Sequence, residues 1–190
     1  MGYDALLVPF GILEIGRGKQ SIDQLWIGFG QSRETSDFIA DSLERWWDQR
    51  SKVHRGIKRI QINLDNGPEV NSSRTQFMNR LVQLADRTGL DIELVYYPPY
   101  HSKYNPIERC WGILESHWNG AILASVPVAL NWAATMTWRG VKPIVELIEG
   151  AYERGVTITK TAYRPILTRL DKATDLEKWS VLIKSKPVGY

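Results

Sequence analysis

The sequence has little cysteine and no long apolar run. Its single cysteine, Cys110, excludes an intrachain disulfide framework and a cysteine-rich zinc site. No stretch approaches the ~20 uninterrupted apolar residues needed to span a bilayer. The first residues lack the basic start and apolar run of a secretory signal, so export is not expected. These features favour a reducing compartment, and we expect a cytoplasmic protein.

The composition is that of an ordinary globular protein. Of 190 residues, 43% are hydrophobic and 24% charged, and this length suits one domain with or without an appendage. The net charge of +3 permits binding to a polyanion without requiring it. From Glu153 onward, eight Lys or Arg residues stand against four acids, so this tail is either a solvated basic surface or a contact for phosphates.

Strands and helices alternate along most of the chain. The patterns predict a hairpin of two strands, at 5–15 and 24–29, around a turn at 17–20. A helix capped by Thr35 or Ser36 and a strand at 59–64 follow. The next elements are a helix capped by Ser72 or Ser73 and ended by Gly89, a strand at 92–97, and a helix opened by Asn105-Pro106 and ended by Asn119-Gly120. This order indicates an α/β fold with a central mixed sheet. Further helices are predicted at 121–138 and 142–153. We therefore predict a core at 1–120 and a helical extension with a basic tail at 121–190.

Two acidic residues stand where an α/β sheet delivers side chains to one edge. Asp65 follows an apolar strand, and Glu108 lies in the first turn of the helix after the next strand. Carboxylate oxygens are preferred ligands of Mg²⁺, and a cation relieves the repulsion between two neighbouring carboxylates. Each residue also has a purely structural interpretation. Asp65-Asn66-Gly67 is a common turn sequence, and Glu108 could form a capping box with Asn105.

The context of the two acids carries a family resemblance. Pro98-Pro99-Tyr100 is followed by His101-Ser102-Lys103-Tyr104 and then by Asn105-Pro106-Ile107-Glu108-Arg109-Cys110-Trp111. With the Pro9-Phe10-Gly11 strand and the Trp46-Trp47 helix, this pattern resembles the DDE transposases of the ribonuclease H-like superfamily, in particular the ISAzo13 family. The resemblance covers nearly the whole chain and implies a ribonuclease H-like mixed sheet flanked by helices.

The resemblance also implies a chemistry. Such enzymes use three acids to hold two Mg²⁺ (or Mn²⁺) ions at a DNA phosphodiester. Asp65 corresponds to the second acid and Glu108 to the third, so both are expected to be catalytic metal ligands. Lys103 could contact a DNA phosphate or be an ordinary surface lysine, and Arg74 is a second candidate for DNA binding. Asn71 and Arg74 match family positions, although helix capping by Asn71 or Ser72 explains the same stretch.

One departure from the family pattern affects the expected activity. The family's first Asp lies on a strand upstream of the Pro9-Phe10-Gly11 strand, and neither Asp4 nor Glu14 stands in its place. We therefore expect a fold without its first strand, an impaired or inactive isolated chain, and an unpaired sheet edge that favours self-association. The expected partners are the transposon ends and target DNA, with association with the nucleoid.

Two alternative functions follow from the same residues. The chain could be a non-catalytic DNA-binding or self-associating module derived from a transposase. It could also be a ribonuclease H-like nuclease whose acids all come from this chain, which requires a third carboxylate near the pair.

Overall fold

A computed structural model describes residues 6–16, 22–98, 101, 104–172 and 179–186. Its elements in chain order are β1 (Val8–Glu14), β2 (Gln24–Gly30), α1 (Ser36–Arg50), β3 (Arg59–Leu64), α2 (Thr75–Thr88), β4 (Asp91–Tyr96), α3 (Pro106–Trp118), α4 (Val126–Ala133), β5 (Ile144–Ile148), α5 (Lys160–Leu167), β6 (Leu170–Lys172) and β7 (Ser180–Ile183). The α/β class predicted from the sequence is confirmed, with two mixed sheets accompanied by helices. The turn predicted at 17–20 lies outside the described residues.

The chain forms two compact units. The first contains residues 1–34 and 103–152, and the second contains residues 35–102 and 153–190. Each unit is therefore assembled from two separate segments of the chain. The predicted division at residue 120 falls inside the first unit and stays a prediction.

The first unit is built on a three-stranded sheet with the order β1-β2-β5. β1 and β2 form the predicted antiparallel hairpin, and β5 pairs with β2 in parallel. Apolar side chains of β2, α3, the end of α4 and the segment after it form its core, which comprises Leu25, Ile27, Phe29, Cys110, Leu114, Ala133, Met136 and Trp138. Helix α3 thus covers the hairpin through its apolar stripe.

The second unit is built on a four-stranded sheet with the order β3-β4-β7-β6. β3 and β4 are parallel, whereas β7 is antiparallel to both β4 and β6. Buried residues of α1 and α2 include Phe38, Leu43, Phe77 and Leu81. Arg80 of α2 donates hydrogen bonds to Asp37, Asp41 and Glu44 of α1, which ties the two helices together.

Three local predictions were wrong. The helix predicted at 142–153 is instead strand β5, whose Ile- and Val-rich run pairs with β2 after Pro143. Neither Ser72 nor Ser73 caps α2, because Arg74 is the N-cap residue and Asn71 accepts the hydrogen bonds of Ser73. The helix predicted at 121–138 covers only Val126–Ala133.

Other local predictions are confirmed. Thr35 caps α1 by accepting a hydrogen bond from the Phe38 amide, and Asn105 caps α3 in the same way through Ile107. Gly89 ends α2 in a left-handed conformation, with φ of 71°. No helix in the described part of the chain is both long and apolar enough to cross a membrane.

Candidate active site

Asp65 lies directly after β3 in the second unit. Pairing of the parallel strands continues to this point, since the Leu64 carbonyl accepts a 2.8 Å hydrogen bond from the Tyr97 amide. The Asp65 side chain is exposed, and no described residue donates a hydrogen bond to its carboxylate. Its oxygens are therefore accessible for a ligand at the carboxyl end of a strand.

The turn after Asp65 is organised by a backbone carbonyl. The Gly67 oxygen accepts hydrogen bonds from the Val70 amide at 3.2 Å, the Asn71 amide at 3.0 Å and the Asn71 side-chain amide at 3.2 Å. In a turn stabilised by aspartate, the Asp65 carboxylate would itself accept a backbone hydrogen bond. The turn after β3 thus begins at Gly67 rather than at Asp65, and the Asp65 carboxylate does not hold it together.

Two side chains from the sheet fix the same segment. The Tyr96 hydroxyl, at the end of β4, donates a 2.7 Å hydrogen bond to the Val70 carbonyl, and Lys172 of β6 donates a 3.3 Å bond to the Ser72 carbonyl. Burial raises the pKa of Tyr96 well above its usual range, so the phenol stays protonated and remains a donor. The loop that follows Asp65 is consequently attached to the sheet at two points.

A polar cluster attaches this loop to helix α1 as well. Glu69 Oε2 accepts hydrogen bonds from the Ser36 amide at 3.0 Å and the Ser36 hydroxyl at 2.9 Å, and Arg74 Nη2 lies 3.2 Å from the same oxygen. Arg74 Nε also donates to Ser36 Oγ at 3.1 Å. Burial acts to raise the pKa of Glu69, but the Ser36 hydrogen bonds and the Arg74 charge outweigh it and lower the pKa. Glu69 therefore stays ionised and holds the loop.

This cluster gives Arg74 partners in its own unit, and a DNA contact by Arg74 stays a prediction. The sequence suggested Arg74 as a DNA contact, and the structure places its side chain, 18% exposed, in the Glu69–Ser36 cluster. Sequence patterns did not single out Glu69 or Tyr96. Their contacts with Ser36 and Val70 join residues 33 and 26 positions apart, and such contacts leave no local periodic signal.

Glu108 lies in the first unit, in the first turn of α3. Asn105 Oδ1 accepts the Ile107 amide at 3.4 Å, and Pro106 occupies the first turn. Glu108 is exposed, and its carboxylate accepts no hydrogen bond from a described residue. The predicted capping box is therefore absent, and the carboxylate remains accessible.

A close approach of α3 to β1 determines how Glu108 is presented. Gly11 leaves space for α3, because a Cβ atom there would lie 2.7 Å from the Trp111 ring and 3.1 Å from Ile107 Cδ1. Cys110 and Leu114 are buried on the same side of the helix. With that stripe directed at the hairpin, Glu108 and Arg109 are left exposed.

The predicted site residues are thus distributed over both units. Asp65 and Arg74 belong to the second unit and Glu108 to the first, and their convergence stays a prediction. Lys103 and Ser102 lie outside the described residues. Among the residues that the structure does describe, no group of three or more His, Cys, Asp or Glu side chains is arranged to hold a metal ion.

Comparison with known proteins assigns the family. A family model described as the Rhodopirellula transposase DDE domain matches residues 3–185. The chain belongs to the ISAzo13 family of DDE transposases. Membership of this transposase family gives the protein a transposition-related function and confirms the resemblance drawn from the Asn105–Trp111 segment. Neither a curated protein nor a solved structure matches the chain.

Proposed function

We propose that this transposase domain performs metal-dependent cleavage and transfer of DNA strands, with Asp65 and Glu108 as catalytic metal ligands. The observation that carries this proposal is the family match over residues 3–185, combined with the exposure of the Asp65 and Glu108 side chains. Each carboxylate is exposed and accepts no hydrogen bond from the described residues. Acids used only for capping or turn formation would instead be bonded to the backbone.

The donor chemistry of these two residues fits Mg²⁺ or Mn²⁺. Both ions are bound by carboxylate oxygens, and an ionised carboxylate without a protein partner retains all its lone pairs for a cation. When bound in such sites, divalent ions activate the attacking oxygen and stabilise the leaving oxygen of a phosphodiester. Asp65 and Glu108 are the residues that would hold them here.

The surrounding residues keep each ligand in place. Glu69, Tyr96 and Lys172 hold the loop after Asp65, and the packing of Trp111 against Gly11 orients the helix that carries Glu108. A ligand held by neighbouring contacts binds metal more tightly than one on a mobile loop, because less freedom is lost on binding. In this proposal, Lys103 and Arg74 contact the phosphates of transposon-end and target DNA, and the protein acts as a homo-oligomer.

Isothermal titration with Mg²⁺ and Mn²⁺ tests the metal ligands. We expect Asp65→Asn and Glu108→Gln each to weaken binding at least 10- to 100-fold, the cost measured for removing even an indirect supporting group. Both substitutions preserve side-chain shape and remove the charge, so thermal unfolding should change little at these exposed positions.

Two matched variants serve as controls. Glu149 is an exposed acid directly after strand β5, as Asp65 is after β3, and Glu115 is an exposed acid two turns after Glu108 on α3. Glu149→Gln and Glu115→Gln should leave metal affinity unchanged. If all four variants titrate like the wild type, or if the controls lose as much affinity as the test variants, Asp65 and Glu108 are not the ligands.

A further inference from the structure

Positive charge is concentrated in one segment of the second unit. Residues 45–59, called the cationic segment below, cover the last turns of α1 and the connection to the start of β3. The segment contains one acid, Asp48, and six basic residues: Arg45, Arg50, Lys52, Arg55, Lys58 and Arg59. Since the whole chain carries only +3, the remaining residues together are net negative. The excess positive charge of the protein is therefore concentrated in this segment and in the basic tail.

The charges of three residues of this segment are not neutralised by acids in the described ranges, whereas Arg59 forms a 3.8 Å ion pair with Asp91 of β4. The segment's only acid, Asp48, forms a 2.8 Å ion pair with Arg87 of α2. Lys52, Arg55 and Lys58 are exposed, and none of them forms an ion pair with any residue in the described ranges. Three uncompensated cations in seven residues attract a polyanion.

The unpaired charges of the basic tail are spaced more widely. Arg169 and Lys186 both pair with Asp86, at 2.6 and 3.2 Å, and Lys184 lies 4.0 Å from Asp171. Half of the tail's eight basic residues (Arg169, Lys172, Lys184 and Lys186) thus bind groups of their own unit. The tail's exposed cations without an ion pair to a described residue, Arg154, Lys160 and Arg164, are spread over eleven residues, whereas those of the cationic segment lie within seven. The cationic segment therefore presents the higher local charge to an external anion.

The cationic segment is also well ordered. The Arg50 carbonyl accepts hydrogen bonds from the Val53 amide at 2.9 Å and the His54 amide at 3.1 Å, which continues the end of α1. The His54 ring stacks on Trp47 with 6.4 Å between centroids and an angle of 9°. Gly56, with φ of 83°, then reverses the chain toward β3. Because the backbone is already fixed, a ligand would bind the charges with little additional ordering.

We propose that the cationic segment is a second contact for the phosphate backbone of duplex DNA, distinct from the Asp65 site. It lies at the amino end of β3, whereas Asp65 lies at the carboxyl end of the same strand. Six residues of strand span about 20 Å, which corresponds to about six base pairs of duplex at ~3.4 Å per step. One DNA duplex passing along β3 would thus contact both ends. The inference takes DNA as partner from the proposed function, but it requires neither Asp65 nor a metal ion.

The test measures the salt dependence of DNA binding. Fluorescence anisotropy with a labelled 30-base-pair duplex of arbitrary sequence is followed from 50 to 200 mM salt, in the absence of divalent metal. Each phosphate contact contributes about 0.9 to the slope of log K against log salt. The triple variant Lys52→Gln/Arg55→Gln/Lys58→Gln should reduce that slope by about 2.7 and weaken binding to all sequences alike.

A control variant removes the same charge from the tail. Arg154→Gln/Lys160→Gln/Arg164→Gln changes three exposed basic residues of the same unit that also lack ion pairs with described residues. Its slope should match the wild type within the error of one contact. An equal or larger loss in this control would overturn the inference, as would an unchanged slope in the first variant or wild-type protein that does not bind duplex at 50 mM salt.

The DNA-binding test and the metal titration can fail independently of each other. Asp65→Asn and Glu108→Gln should leave this metal-free slope unchanged, and the cationic-segment variant should leave the Mn²⁺ titration unchanged. If the cationic segment instead binds an acidic protein surface, the triple variant would alter self-association in analytical ultracentrifugation while DNA binding stayed the same, which would also contradict the inference.

Discussion

Replacing Gly11 with alanine tests the packing that orients helix α3. A Cβ atom at this position would lie 2.7 Å from both Trp111 Cζ2 and Cη2, whereas carbon atoms in favourable contact are ~3.5–4.0 Å apart. The indole ring or the helix would have to retreat by about 1 Å. Overpacking of this size in a formed core costs about 1–3 kcal/mol of unfolding free energy.

Urea unfolding followed by tryptophan fluorescence measures this cost, and Gly112→Ala is the matched control. Gly112 lies within α3, and a Cβ atom there would meet no atom within 4 Å. Alanine should stabilise a helix interior by about 0.5–1 kcal/mol relative to glycine. The same substitution thus has opposite signs at two glycines of one unit.

A second variant assigns the cost to Trp111. In a Trp111→Leu background, Gly11→Ala should lose most of its destabilising effect, because the ring atoms that it would contact are gone. If Gly11→Ala were as stable as Gly112→Ala in the wild-type background, or if its cost persisted without the indole, the proposed packing of α3 on β1 would be refuted.

Two further predictions concern titrating groups. Hydrogen bonds from Arg169 outweigh the opposing effect of burial and lower the pKa of Asp86 from 3.8 to about 2. The Asp86–Arg169 pair should therefore stabilise the fold above about pH 4. This contribution, of no more than about 2 kcal/mol, should be lost as the pH falls toward 2. Asp86→Asn should remove this part of the acid dependence in urea unfolding, and an unchanged profile would contradict the pairing. Burial, supported by the nearby Asp23 charge, raises the pKa of the Cys110 thiol to about 11. At pH 8, iodoacetamide should therefore modify Cys110 at least about 100-fold more slowly in the native protein than in 8 M urea. Comparable rates would show that the thiol is accessible and would contradict this prediction.

Features set by neighbouring residues could be predicted from the sequence. The alternation of Ile60, Ile62 and Leu64 gave the bounds of β3, and Gly89 and Asn105-Pro106 marked helix ends that depend on local backbone chemistry. The apolar pattern of residues 142–153 predicts a helix, but a short apolar run of this kind also fits a strand. Strand β5 forms there only because β2, more than 100 residues earlier, provides a hydrogen-bonding edge.

The candidate site also combines features that the sequence could predict with features that it could not. Asp65 and Glu108 could be singled out because each stands at an element end recognisable from nearby residues. The attachment of the Asp65 loop through Glu69, Ser36 and Tyr96 could not, since it depends on three separate elements meeting. The sequence also could not show that the Glu108 carboxylate is accessible to a ligand. Asn105-Pro106-Ile107-Glu108 is equally a capping-box sequence, and only the side-chain geometry distinguishes a capping acid from an accessible one.

Iron-directed backbone cleavage tests most directly whether Asp65 and Glu108 share a metal ion. Fe²⁺ can replace Mg²⁺ at an oxygen-ligand site, and with peroxide and ascorbate it generates radicals that cut the polypeptide near its ligands. If the two carboxylates bind one ion, we expect two groups of cuts, one beside residue 65 and one beside residue 108. Mg²⁺ should compete with both groups, and both should be lost in Asp65→Asn alone. Cuts beside only one of these residues, or beside neither, would contradict a shared ion.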